Sequence, residues 1–187
     1  MKAGQIYKDI TAKNGKLVTL RAIRWEDLNA ILEFANRLVD EREVDPDFGI
    51  LLDKRQTLET EADWLGKKLA SIEKGDQISV VAEVEGKLVA NSEVIRGQFS
   101  DEFHHGKLGI SVLKEYRDQG IGLQMMKTLV EESRKAGLKS IELEVFAHNP
   151  RAVHVYEAAG FKRVGRIPKK IFRKTRFTDI IVMAIEL

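Results

Sequence analysis

From Gly109 to Gly122 the chain reads Gly-Ile-Ser-Val-Leu-Lys-Glu-Tyr-Arg-Asp-Gln-Gly-Ile-Gly, and this run constrains the fold more than any other. An apolar, β-type stretch gives way within a few polar residues to a segment whose Ile121, Met125, Leu129 and Val130 repeat at helical spacing. That is a strand, a short turn and a helix opening on two glycines. Glycine lets the backbone approach a ligand closely, and the first N–H groups of a helix have no partners within it. With the positive end of the helix dipole behind them, such amides suit a phosphate, and Arg117 would add a charge-assisted contact. Alone, the pattern is weak. At a glycine frequency of about 7 %, Arg-x-x-Gly-x-Gly arises by chance in a sizeable minority of chains this long. A glycine-rich turn with no ligand explains it equally well. Two phosphate-binding motifs are excluded: Met125 stands where the dinucleotide fingerprint needs its third glycine, and no Gly-Lys-Ser/Thr occurs.

The flanking sequence sets the fold class. Ile6–Ile10 and Leu17–Leu20 have strand character, and Asn14-Gly15 between them suits the positive φ angles of a type I′ hairpin turn. Helical spacing of apolar residues predicts helices over about 25–39 and 57–74, separated by a charged segment with Pro46 and Gly49. Strands are expected at 78–84 and 88–95 around a Glu85-Gly86 turn, at 108–113, and at 141–146. A helix over about 121–136, a short one from Pro150 to about Ala159, and terminal strands near 161–172 and 177–186 complete the order. We read this as an α+β fold: one domain over 1–187, with 1–16 as an N-terminal hairpin extension, and a mostly antiparallel mixed sheet flanked by helices.

Composition narrows the function classes. Apolar residues at 43 % and charged residues at 32 % of 187 suit a globular domain and argue against disorder or a membrane span. The absence of cysteine excludes disulfides and thiolate chemistry. With no apolar leader at Met1–Gln5, that fits a cytoplasmic protein. A net charge of +2 is too small to suggest nucleic-acid binding, although the charge is unevenly spread. Asp40, Glu41, Glu43, Asp45, Asp47 and Asp53 form an acidic stretch; a basic run extends from Lys162 to Arg176. Either is explained as solvated surface, and the acidic one also as a wall that attracts a cationic amine. The four histidines lack metal-ligand spacing, so no metal is expected.

The second informative element is Asn149-Pro-Arg-Ala-Val-His-Val-Tyr-Glu-Ala-Ala-Gly-Phe161. Asn149 as cap, Pro150 at the first helical position and Gly160 as terminator explain its ends structurally. In order and spacing, the two elements together resemble the GNAT N-acetyltransferase superfamily. Arg117-x-x-Gly120-x-Gly122 is similar to its acetyl-CoA signature; Asn149, Ala152, Tyr156 and Gly160-Phe161 are similar to its second motif. The likeness runs from about residue 17 to the end, nearest to the branch of ribosomal-protein alanine, phosphinothricin and diamine acetyltransferases.

The resemblance implies acetyl-CoA as cosubstrate, a splayed pair of parallel strands at its site, and direct acetyl transfer to a primary amine. Val112, Arg117, Gln119, Gly120, Ile121 and Gly122 would hold the pantetheine arm and pyrophosphate. Asn149 would hydrogen-bond the arm, and Tyr156 would stand beside the sulfur as general acid. A backbone N–H near Val112–Leu113 would meet the oxyanion. The base is open: Glu93 is the leading candidate, His105 a relay candidate, and Lys107 stands near where related enzymes often carry a glutamate. The acceptor is also open among protein N-termini, polyamines and small amines. Dimers are frequent in similar proteins, which leaves a homodimer open. No nucleic-acid or membrane partner is expected. A non-catalytic acyl-CoA sensor on the same fold is the alternative reading.

Overall fold

Alternating apolar side chains give the central strands two hydrophobic faces, and helices cover both. The computed structural model describes residues 2–45 and 47–187; Pro46, which the sequence assigns to a loop, lies outside the described residues. The strands are β1 (Ile6–Thr11), β2 (Leu17–Arg21), β3 (Gln77–Val84), β4 (Lys87–Arg96), β5 (His105–Val112), β6 (Ser140–Phe146), β7 (Lys162–Arg173) and β8 (Arg176–Glu186). The helices are α1 (Leu28–Val44), α2 (Leu58–Lys74), α3 (Ile121–Lys135) and α4 (Pro150–Ala158). They build one sheet in the order β1-β2-β3-β4-β5-β6-β8-β7. Among the described residues only the β5–β6 pair is parallel, so the expected α+β class with a mixed, mostly antiparallel sheet holds.

On one face, Met125, Met126 and Leu129 of α3 pack on Val80, Ala82, Ala90, Val94 and Leu108. On the other, Ile31, Phe34 and Leu38 of α1 and Leu65 and Ile72 of α2 join Val81, Leu88 and Leu113. Among the described residues, no helix is long and apolar enough to cross a membrane.

Two local expectations change. The β1–β2 hairpin forms, but not with a type I′ turn: Gly15 has φ +84° while Asn14 does not take a positive φ. The Ala12 carbonyl accepts the Gly15 N–H, and the Ala12 N–H reaches the Lys16 carbonyl, both at 2.9 Å. This is a three-residue loop, which needs a left-handed residue only at its last position. The type I′ geometry falls instead at Glu85-Gly86, with φ of 51° and 75° between the paired Val84 and Lys87. In addition, α1 runs to Val44 rather than ending near 39, and Glu41 in its added turn accepts the Lys114 N–H and pairs with Arg117.

A buried ion network fixes the start of α1. Arg21 at the end of β2 donates to both Asp27 oxygens at 2.7 Å, and to Glu83 at 2.7 and 3.0 Å. Asp27 also accepts the Arg24 N–H at 2.9 Å. Arg21 is 4 % exposed and Asp27 5 %, so removing the cation strands a buried carboxylate. Arg21→Ala should therefore cost about 3–5 kcal/mol, read from urea unfolding followed by tryptophan fluorescence; a loss below about 1 kcal/mol would show the network to be dispensable.

Candidate functional site

The site begins where a hydrogen-bond ladder ends. β5 and β6 pair in parallel from His105–Ser140 to Leu108–Leu143 and no further. Beyond that point β5 stays with β4 as far as Ala90–Val112, while β6 follows β8 to Phe146–Ile180. The two strands therefore splay apart. The Leu113 N–H donates to the Val89 carbonyl at 3.0 Å. The alternation of an antiparallel ladder then turns the backbone groups of Ile110 and Val112 away from β4, into the gap. This corrects one detail of the expected oxyanion donor: the Leu113 amide is engaged with β4, and only the Val112 amide faces the opening.

Beside the gap, α3 opens at Gly120, whose φ of +84° makes glycine the natural residue there. Its neighbour Asp118 is also left-handed, at +61°. The first intrahelical bond runs from the Gln124 N–H to the Gly120 carbonyl, so the amides just before Gln124 have no partner within the helix. The Gln119 carbonyl accepts the Lys13 N–H at 3.0 Å, which ties the β1–β2 turn to this mouth. A Cβ on Gly122 would sit 3.8 Å from Val112, so strand and helix mouth are near neighbours.

Arg117 sits at this junction with its side chain committed to protein. Its Nε donates to the Val112 carbonyl at 2.9 Å, its Nη2 pairs with Glu41, and its guanidinium lies 4.4 Å from the centre of the Phe48 ring. Here it clamps α1 and its following loop onto β5.

A cavity of about 1340 Å³ runs through the splay. Its lining includes Gly120, Gly122, Ala152 and Tyr156 from the α3–α4 side and Phe34, Glu61 and Trp64 from the α1–α2 side, so it joins the two faces of the sheet. Asn149 also lines it; its Oδ1 caps α4 by accepting the Ala152 N–H at 3.0 Å. Tyr156, on α4, faces the cavity, and burial pushes its phenol up to about 12.

Glu93 on β4 also lines the cavity, opposite Gly109 of β5. Its Oε2 takes both Lys68 and Gln77, the latter at 2.6 Å. Its Oε1 makes no hydrogen bond among the described residues and lies 4.0 Å from where a Gly109 Cβ would be. A free carboxylate oxygen thus sits over the start of the splay.

The sequence reading missed Glu61, Lys68, Gln77 and Asn91. The first two were findable: Glu61 and Lys68 flank Leu65 at helical spacing, so they share the inner side of α2, where a charged residue needs a reason. Other candidates lie elsewhere. His105, at the far end of β5 from Val112, contacts the Ser140 hydroxyl at 2.8 Å, and Lys107 pairs with Glu144 at 2.8 Å. Much of the acidic stretch is neutralised: Glu41 by Arg117, Asp40 by Arg55, and Asp47 by Arg176. Among the described residues, no group of three or more His, Cys, Asp or Glu is arranged to hold a metal ion.

These features agree with known proteins. A family model described as Acetyltransferase (GNAT) family matches residues 36–161. Probable N-acetyltransferase camello from Xenopus tropicalis is 32 % identical over 62 % of this chain and 55 % of its own length. The [ribosomal protein bS18]-alanine N-acetyltransferase of Escherichia coli K12 is 33 % identical over 42 % of this chain and 53 % of its own. The chain thus spans about half the length of the curated relatives it matches. Among solved structures, Salmonella typhimurium YncA, determined with its cofactor acetyl-CoA, superposes with a TM-score of 0.77 at 16 % identity, over 90 % of this chain and 93 % of that one. At that identity the likeness speaks to the fold. Since the stretch matched by the family model supplies α3 with its open mouth, the splayed β5 and β6, and Tyr156, the chain belongs to the GNAT acetyltransferase family.

Proposed function

We propose that this protein is an acetyl-CoA-dependent N-acetyltransferase that passes the acetyl group directly to a primary amine. One observation carries the reading. Unpaired amides at the α3 mouth and on β5 border the same cavity that Tyr156 and a free Glu93 oxygen reach. The residues fit the cosubstrate: the amides from Gln119 to Gly122 would take its pyrophosphate, and the backbone of Val112 and the side chain of Asn149 its pantetheine arm. Arg117 holds the strand end that carries Val112. The bound thioester supplies the activated acyl group.

In the transfer itself, the amine lone pair attacks the thioester carbonyl, the new C–N bond forms, and the C–S bond breaks. The Val112 N–H faces the carbonyl oxygen as it gains charge. Glu93 Oε1, directly or through a water, takes a proton from the amine. An α-amine with pKa about 7.8 is neutral in roughly one molecule in seven at pH 7, against about one in 2,500 for a lysine-like amine. A modest base is therefore enough for the first kind and severely taxed by the second. Tyr156 keeps its proton at neutral pH, since its phenol lies near 12. Because a thiol ionises near about 8.5, the phenol serves the departing sulfur best by donating a hydrogen bond to it. Tyr156 and the free Glu93 oxygen weigh against a sensor that binds acyl-CoA without chemistry. A cysteine-free chain suits the cytoplasm, and names among the relatives make a protein N-terminus one natural class of acceptor.

The primary test is release of CoA thiol from acetyl-CoA across a panel of peptides, polyamines, amino acids and amino-acid amides; a protein that acetylates none of them is not the enzyme proposed. Gly120→Ala should raise the calorimetric Kd for CoA about tenfold, because a left-handed alanine costs roughly 1–2 kcal/mol and shifts the helix mouth. Unchanged affinity would remove the mouth from the binding site. Tyr156→Phe should lower kcat about 10²-fold while leaving CoA binding nearly intact. Equal turnover would end its role at the sulfur.

A further inference from the structure

The α2 side of the cavity carries more acceptor groups than the transfer uses. Glu61 lines the cavity and is only 5 % exposed, and its carboxylate makes no hydrogen bond among the described residues. Lys68, two helical turns further on, is 3 % exposed; its Nζ pairs with Glu93 and lies 4.7 Å from the centre of the Trp64 ring. The α2 side thus holds two carboxylates and one buried ammonium, which is paired with Glu93. Asn91, two residues before Glu93 on β4, lines the same cavity, and its Oδ1 is buried without a partner. Asn91 also carries an amide NH2, so the unmet groups that can only accept are the Glu61 carboxylate and Glu93 Oε1. Apolar walls from Ile31, Phe34 and Leu38 of α1 keep the surroundings poorly screened, which strengthens attraction and repulsion alike.

A site of this kind completes its hydrogen bonding with a cationic donor. It also repels a carboxylate, and a free amino acid carries one two bonds from its amine. We propose that Glu61 is a specificity-determining residue: with Glu93 it selects amines that have no carboxylate beside the amino group, such as amino-acid amides, peptide N-termini and alkyl amines, over free amino acids. This rests on the N-acetyltransferase reading of the same cavity. It also relocates the acidity that the sequence assigns to residues 40–53, much of which is spent on arginines.

The test compares alanine with alaninamide, and leucine with leucinamide, by thiol release at matched concentrations of neutral amine. Matching removes the difference in amine pKa within each pair. In the wild type, kcat/KM should favour the amide at least tenfold. In Glu61→Gln, which keeps the shape and removes the charge, that preference should fall to about threefold or less, with CoA binding and the melting temperature as controls for folding. Equal use of acid and amide by the wild type overturns the proposal and leaves the acetyltransferase reading standing. So does a folded Glu61→Gln protein with the full preference. If that variant does not fold, Glu61→Met, similar in length and uncharged, takes its place in the same comparison. If no amine of the panel is acetylated, both fall together.

Discussion

The termination of the β5–β6 ladder at Leu108–Leu143 is the constraint on which the site depends. Buried backbone N–H and C=O groups are almost always paired, so a strand that loses its neighbour must find other partners. Here β5 keeps β4 on one edge and turns Ile110 and Val112 to an open gap on the other. The protein fills part of that need itself, through the Arg117 guanidinium on the Val112 carbonyl. It leaves the donors. Donors from β5 and from the neighbouring helix mouth give the cavity a surface suited to a long ligand rich in carbonyl and phosphate oxygens.

Electrostatics then divides the cavity. Near the α3 mouth, Asp118 pairs with Arg151 and Arg117 with Glu41, so these charges are tied to the chain. On the α2 side the balance is different. Lys68 is buried deeply enough that desolvation pulls its ammonium below the usual lysine range, while burial pushes the Glu61 carboxyl up. Each shift marks the strain of holding charge away from water. A cationic acceptor would relieve the Glu61 shift, because an opposite charge favours the ionised carboxylate.

The clamp formed by Arg117, Glu41 and Phe48 links these regions mechanically. It joins the end of α1 and the loop after it, which form one wall of the cavity, to the end of β5, which forms its floor. Arg173 of β7 reaches the same loop from the opposite direction, donating to the Phe48 carbonyl at 2.6 Å and the Ile50 carbonyl at 2.5 Å. The loop is thereby fastened between two distant strands.

What the sequence determined by itself was local. The order of strands and helices, the glycine-rich opening of α3, and the Asn149 cap of α4 follow from signals that act within a turn or two of the chain. The resemblance to the GNAT superfamily brought Tyr156 forward as a candidate. The tertiary structure decided the rest, because it turns on partners far apart in sequence. Arg117 meets Glu41 across 76 positions and Lys68 meets Glu93 across 25. The place where β5 leaves β6 is set by the register of several strands at once. No window of sequence contains those distances, so which amide is free, which acid is neutralised and which is left facing the cavity are properties of the folded chain.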